Sequence, residues 1–204
     1  MKKTKTSYKM YPAWAFDREV RELDEQSKKG WQLQKGGCFH SQFVYDDTVR
    51  YRYALDFNQD VVDPDRYRET FAEQGWEFVN STFNGWHYFR KKYDPALPQE
   101  EYLIYTDESS IQEMAGRFRR LAYILGGIEL GCGLLGLAIN LGGSPRPSSI
   151  LIDAGAILLG VILLRGGRRI AQSTKNRFFA SGWVLLPVLI LFLAAWVLAI
   201  GFDM

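Results

Sequence analysis

Three apolar runs, Leu121–Leu141, Ile150–Leu164 and Trp183–Phe202, fill most of the last third of this 204-residue chain. A helix rises about 1.5 Å per residue and the hydrocarbon core of a bilayer is about 30 Å thick, so about 20 apolar residues cross it. The first and third runs have that length. The second is shorter and carries Asp153 near its start. Extended to 148–165, with Arg165 snorkelling to the interface, it crosses as well; its alternative is a re-entrant or interfacial segment. The expected spans are therefore 121–141, 148–165 and 183–202.

Charge orients them. Arg117, Arg119 and Arg120 precede the first span, and Arg165, Arg168, Arg169, Lys175 and Arg177 lie between the second and third. The first loop carries only Arg146, and only Asp203 follows the third span. Three crossings put those two basic clusters on one side, which places them and the preceding head in the cytoplasm and the C-terminus outside. Arg117, Arg119, Arg120, Arg168 and Arg169 are then expected to face anionic lipid. Met1–Lys9 is cationic, but no apolar stretch follows it, so no signal peptide is expected.

The head has the opposite charge. Met1–Gly116 holds 16 Lys plus Arg against 20 Asp plus Glu, a net of −4, and the remainder holds 9 against 3. An acidic head is poorly suited to phosphate backbones, which argues against nucleic acid as a partner. The cysteines, Cys38 and Cys132, are too far apart in depth to pair, and no ligand spacing for a metal exists.

Two helices can be read in the head. One runs from near Asp17 to before Gly30, with Phe16, Val20, Leu23 and Ser27 on one face. The other opens at Asp63-Pro64, a capping residue followed by a proline at the first helical position, and stops at Gly75. Each helix is followed by Gly-Trp, an extended run and a hairpin return. Gln32–Lys35 leads to Cys38–Tyr45; Glu77–Ser81 leads through Asn84-Gly85 to Trp86–Lys92. Between the halves Val49–Phe57 alternates, and Glu101–Tyr105 is a further strand candidate. The pattern is an internal repeat of strand–helix–Gly-Trp–strand–strand. The expected fold class is α+β: one antiparallel sheet with two helices on one face, a ferredoxin-like repeat, over residues 1–108. A connecting helix over 109–120, capped from Asp107 to Ser110, leads into a three-helix transmembrane bundle over 121–204. The aromatic surplus has two readings. The repeated Trp31 and Trp76 are core plugs behind the helix ends, or Trp31, Tyr51, Tyr53, Trp76 and Trp86 form a platform that grips a peptide, a protein or a second copy.

At these residues the chain resembles a bacterial family. Lys-Gly-Trp at Lys29–Trp31, Tyr51-Arg52-Tyr53, Gln-Gly-Trp-Glu at Gln74–Glu77, Trp86–Lys91 and Leu103–Asp107 together, in that order, resemble domain of unknown function 2812 over about Tyr8–Arg120. Members common in Gram-positive bacteria share this domain order, with membrane helices after the head, and appear beside PadR-type transcriptional repressors. The family carries no established reaction and no catalytic residues. The resemblance implies a membrane-associated regulatory or envelope role.

Candidate chemistry is sparse. Glu129 lies near the middle of the first span, where ionisation is expensive; a functional acid and a neutral packing residue are both open. Gly127 and Gly131 form a small-residue face around it, suited to helix packing or to a dimer seam. His40 and His87 have no ligand partners at metal spacing. No catalytic residue, metal or cofactor is assigned. The expectation is a non-enzymatic, membrane-anchored cytosolic module that binds a protein, peptide or small ligand. The alternative is a small oligomeric transporter subunit or membrane-stress resistance protein working through Glu129. The bilayer is the first partner expected, with a protein partner or a homo-oligomer second.

Overall fold

The computed structural model describes residues 3–105, 108–143, 146–170 and 182–202; Asp107 of the expected cap, Lys175, Arg177 and Asp203 lie outside the described residues. The chain divides into two compact units, Met1–Arg117 and Phe118–Met204.

The first unit is mixed α and β and is built twice over. Its first half is β1 (Thr4–Ser7), α1 (Phe16–Lys28), β2 (Trp31–Lys35) and β3 (Ser41–Tyr45). Its second half is β4 (Tyr51–Phe57), α2 (Pro64–Ala72), β5 (Glu77–Ser81) and β6 (Trp86–Lys92). Each half forms its own three-stranded sheet, in the orders β1-β3-β2 and β4-β6-β5. All pairs are antiparallel. The halves share finer details. Gly30 and Gly75 both reverse the chain after the helix at φ 79°, a left-handed conformation open to glycine at little cost. The register then slips between Leu33 and Lys35 in one hairpin and between Phe78 and Asn80 in the other.

The expected single sheet is therefore two sheets. At the junction of β2 and β5, side chains replace a backbone ladder. Asn80 accepts from the Gly36 amide at 2.7 Å and donates to the Gly36 carbonyl at 2.9 Å. The Leu33 amide donates to the Tyr53 hydroxyl at 2.8 Å. Buried backbone groups need partners, and here those partners come from side chains.

The two helices also do different work instead of covering one face. Helix α1 caps the open edge of β4: Ser27 Oγ accepts from the Tyr51 amide at 2.7 Å, and Asp24 Oδ1 accepts from the Tyr53 amide at 2.9 Å. That protects an edge strand from pairing with another chain. Helix α2 starts where the sequence predicts, with Asp63 accepting from the Asp65 and Arg66 amides at 3.1 Å each. It lays half-buried Tyr67 and Phe71 onto Ala54, Trp76 and Phe89, with Phe78 and Ile104 alongside.

One segment is unmarked in sequence and another departs from expectation. Strand β1 pairs with β3, although Thr4–Ser7 has no apolar residue to announce it. The candidate strand at Glu101–Tyr105 is instead a 3-10 turn over Gln99–Tyr102, opened by Pro98 and closed by the Leu103 amide on the Glu100 carbonyl at 3.1 Å. Tyr102 ties it down: its hydroxyl accepts from the Asp94 amide and donates to the Asp94 carbonyl.

Helix α3 is continuous from Glu108 to Gly142. In the second unit it is followed by α4 (Pro147–Arg169) and α5 (Leu186–Phe202). Among the described residues two helices, α3 and α4, are long and apolar enough to cross a membrane, and the apolar helix α5 is shorter. The run that looked shortest in sequence thus forms a 23-residue helix, because Gly166 to Arg169 stay helical beyond the apolar stretch. The third run loses helix at its start. Pro187 suits the first turn of α5, and the chain before it, Gly182–Leu185, is a 3-10 turn.

Candidate functional site

The first turn of α1, the β2–β3 connection and the β5–β6 hairpin line an open cavity of ≈ 40 Å³ in the first unit. Phe16 and Glu19 stand one helical turn apart on α1. Trp86 and Tyr88 alternate onto one face of β6, where they pair with Phe57 and Leu55 across the sheet. The hairpin turn supplies Thr82 and Asn84, Cys38 comes from the β2–β3 connection, and Tyr11 lies ahead of α1. Phe16 stacks on Trp86 with ring centroids 5.5 Å apart. A side chain at Gly36 would strike the Tyr88 ring at 2.5 Å, so glycine there lets Tyr88 take this position.

The cavity holds a carboxyl group poised to titrate. Burial pushes Glu19 up to about 7, against the pull of the Tyr88 hydroxyl, which donates to Glu19 Oε1 at 2.7 Å. Burial, and then the Glu19 charge, push the Tyr88 phenol far above its ordinary value. Burial pushes Tyr11 up to about 12. The Cys38 thiol is also raised by burial and donates to Asn84 Oδ1 at 3.3 Å, so it is a poor nucleophile. Thr82 Oγ1 donates to the same Asn84 oxygen at 2.6 Å. No lysine, arginine or histidine is among the residues lining the cavity.

A second polar cluster lies on the opposite face of the β4 sheet. Asp56 is 2% exposed. Tyr67 donates to its Oδ2 at 2.5 Å, Tyr105 donates to its Oδ1, and Arg117 Nη2 stands 3.5 Å from the same oxygen. Burial, and then the Asp56 charge, raise both phenols. Across the sheet Asp56 faces His87. His87 Nε2 meets the Asn58 carbonyl at 2.8 Å, which requires a proton on Nε2; in the neutral ring Nδ1 then accepts from Ser81 Oγ at 2.7 Å. Asp56 is hydrogen-bonded by Tyr67, Tyr105 and Arg117, and His87 Nε2 is given to a carbonyl, so serine, histidine and aspartate do not form a relay. Among the described residues no group of His, Cys, Asp and Glu could hold a metal ion.

The residues singled out from sequence fall as follows. Tyr53, Trp76 and Trp86 are buried. Trp31 and Tyr51 are half-buried, Trp31 against Tyr45 and the Lys5 ammonium, Tyr51 under the Arg90 guanidinium. Trp86 is the member of the five that lines the cavity. Arg117, grouped in sequence with the lipid-facing cations, is held by protein: Nε donates to the Phe57 carbonyl at 3.1 Å, and its other nitrogens meet Asp56 and Glu113. Arg120, Arg168 and Arg169 are exposed and Arg119 is half-buried.

In the second unit Glu129 is half-buried on α3. Close helix approach runs through other glycines than Gly127 and Gly131. A Cβ on Gly160 would meet the Gly126 carbonyl at 2.8 Å, and one on Gly133 would meet the Asp153 carbonyl at 2.8 Å. A Cβ on Gly127 or Gly131 meets nothing within 4 Å. Asn140 donates to Asp153 Oδ2 at 2.7 Å, giving the acid of α4 a partner on α3. Glu19, Tyr88, Asp56 and Tyr105 escaped the sequence reading. Glu19 sits in an ordinary charged helix turn, and nothing local marks it as half-buried in a cavity.

No curated protein and no solved structure matches the chain. One family model does, over residues 15–126, more than half the chain; it covers the whole cavity except Tyr11 and Ala13 and runs into α3. The chain belongs to the family described as protein of unknown function (DUF2812).

Proposed function

We propose that this protein is a membrane-anchored binding module of the bacterial cytoplasmic face, with a regulatory role. Its first unit takes a small ligand into the cavity between α1 and the β5–β6 hairpin, and α3, which belongs to both units, carries the bound state to the membrane helices. The observation that carries this reading is the place of Glu19, a carboxyl group bonded to Tyr88 in an aromatic-walled cavity with no basic side chain lining it. A buried acid without a cation is costly, and such groups mark functional sites. The duplicated strand–helix–strand–strand halves, each with its own sheet, support a kinship with ferredoxin-like folds. The lopsided cations support a cytoplasmic first unit and an outward C-terminus. The two polar clusters support binding over catalysis, since Cys38 is protonated and the carboxylate of Asp56 is held by tyrosines.

Photo-crosslinking in native membranes tests the proposal. A photoreactive residue replacing exposed Phe39, one position from Cys38, is expected to capture a discrete ligand or partner, and a bulky Thr82→Trp change is expected to abolish that adduct. Recovery of bulk lipid alone, from this position and from others around the cavity, would overturn it.

One observation favours a second reading. The uncovered face at Gly127 and Gly131 flanks Glu129 and is free for a helix of another copy. Under that reading native electrophoresis gives an oligomer that Glu129→Gln or Gly131→Leu disperses; a monomer in both the parent and the variants rejects it.

A further inference from the structure

We infer that the cavity beside Glu19 receives an organic ammonium group, a nitrogen cation bearing alkyl substituents. This deepens the binding reading above and rests on it. A water molecule's centre can roam through ≈ 40 Å³ there. That is more room than one water needs, and of the order that a compact alkylammonium head requires. The wall is made of Tyr11, Phe16, Trp86 and Tyr88, whose rings suit the methyl or methylene groups of such a cation and offer their π-electrons to its charge. Glu19 supplies the counter-charge.

Other ligand classes fit less well. An anion would meet a carboxylate and no basic side chain. A metal ion would find one carboxyl group, a protonated thiol and apolar rings, with too few hard donors to replace its waters. Asn84 Oδ1 is already engaged by Thr82 and Cys38, so the remaining strong acceptor is Glu19. A compact, weakly hydrated cation needs one counter-charge and apolar walls, and the cavity has both.

The groups facing Glu19 leave it as the one that titrates near neutrality. Tyr88 on β6 and Tyr11 ahead of α1 are raised phenols, and Cys38 is a raised thiol. Arg18 and Glu22 are the other charged groups of α1 acting on Tyr11.

The test is calorimetric titration of the full-length chain in a non-ionic detergent. Choline chloride and tetramethylammonium chloride are compared with 3,3-dimethyl-1-butanol, the neutral isostere of choline, at constant ionic strength. Choline is expected to saturate, and the isostere to bind at least tenfold more weakly. Choline affinity is expected to rise about tenfold from pH 6 to pH 8 as Glu19 ionises, and Glu19→Gln to remove both the preference and the pH dependence. Should that variant fold poorly, the parent's pH series against the isostere still decides. Reconstitution into vesicles with and without phosphatidylcholine separates the sources. Competition by those vesicles assigns the group to a lipid headgroup, and no competition assigns it to a free amine. An isostere that binds as tightly as choline, or choline affinity unmoved by pH, overturns the ammonium class while leaving a ligand-binding cavity. Failure of every ligand to bind a folded protein overturns the inference, and the crosslinking experiment then judges the module reading separately.

Discussion

Tyr88 donates its hydroxyl to Glu19 Oε1 across 2.7 Å, joining the central strand of one half-repeat to the helix of the other. The bond opposes what burial does to Glu19, and the balance leaves the acid at about 7. Stability therefore depends on pH. An acid raised in the folded state binds more protons there than in the unfolded chain, so stability falls as pH rises from about 4.5 to about 7 and stays low above it. Without ligand, the first unit is expected to melt lower at pH 8 than at pH 5, by an amount corresponding to at most about 3 kcal/mol. Glu19→Gln is expected to flatten that dependence, and Tyr88→Phe to steepen it. Thermal melts by near-ultraviolet circular dichroism at the two pH values read this directly; a Glu19→Gln profile parallel to the parent's would refute it.

Asp56 concentrates three interactions in one buried carboxylate. Asp56→Asn keeps the shape but gives up charge-assisted bonds from Tyr67, Tyr105 and Arg117. A loss of about 2–4 kcal/mol is expected, since breaking a buried ionic network strands its partners. Arg117→Gln is expected to cost less, because its guanidinium is partly exposed. A double-mutant cycle with chemical denaturation would show positive coupling between the two sites, and strict additivity would mean that the pair contributes nothing.

The two sheets are joined by Asn80 and by Tyr53. Asn80→Ala removes both contacts to the Gly36 backbone and is expected to cost about 1–3 kcal/mol. Hydrogen exchange supplies the sharper readout. The Gly36 amide is expected to lose protection in Asn80→Ala while the Leu33 amide keeps it, and Tyr53→Phe is expected to do the reverse.

Glycine positions in the helical unit are not equivalent. Gly160→Val places a methyl group against the Gly126 carbonyl and is expected to separate α3 from α4, lowering thermal stability in detergent. Gly131→Val meets open space in the monomer and is expected to leave it unchanged. Equal losses in both variants would show that the Gly131 face is covered by another chain.

The apolar runs, the helix starting at Asp63-Pro64, the Gly-Trp repeat and the strands Glu77–Ser81 and Trp86–Lys92 were all legible in sequence, because each depends on local chemistry. Periodicity, a capping side chain, a proline's fixed φ and a glycine's positive φ act within a few residues. The repeat even anticipated a strand ahead of α1, although Thr4–Ser7 shows none of the apolar alternation that would place it. What sequence could not decide is which of two ways a polar residue is used. Asn80 lies in a run legible only as a strand, and its side chain substitutes for a backbone ladder between the two sheets. Arg117 reads as a membrane-flanking cation and instead serves Asp56. Gly126 and Gly127 are indistinguishable in composition, and helix rotation alone sends one into the seam and leaves the other uncovered. Glu19 differs in the same way from Glu22, one turn along α1: the first is enclosed by a strand and a hairpin distant in sequence, while the second pairs with Lys9 at 2.7 Å. Local sequence sets what each segment becomes. Tertiary structure alone decides which charged groups lose their water, because desolvation depends on everything packed around a group and on nothing within it.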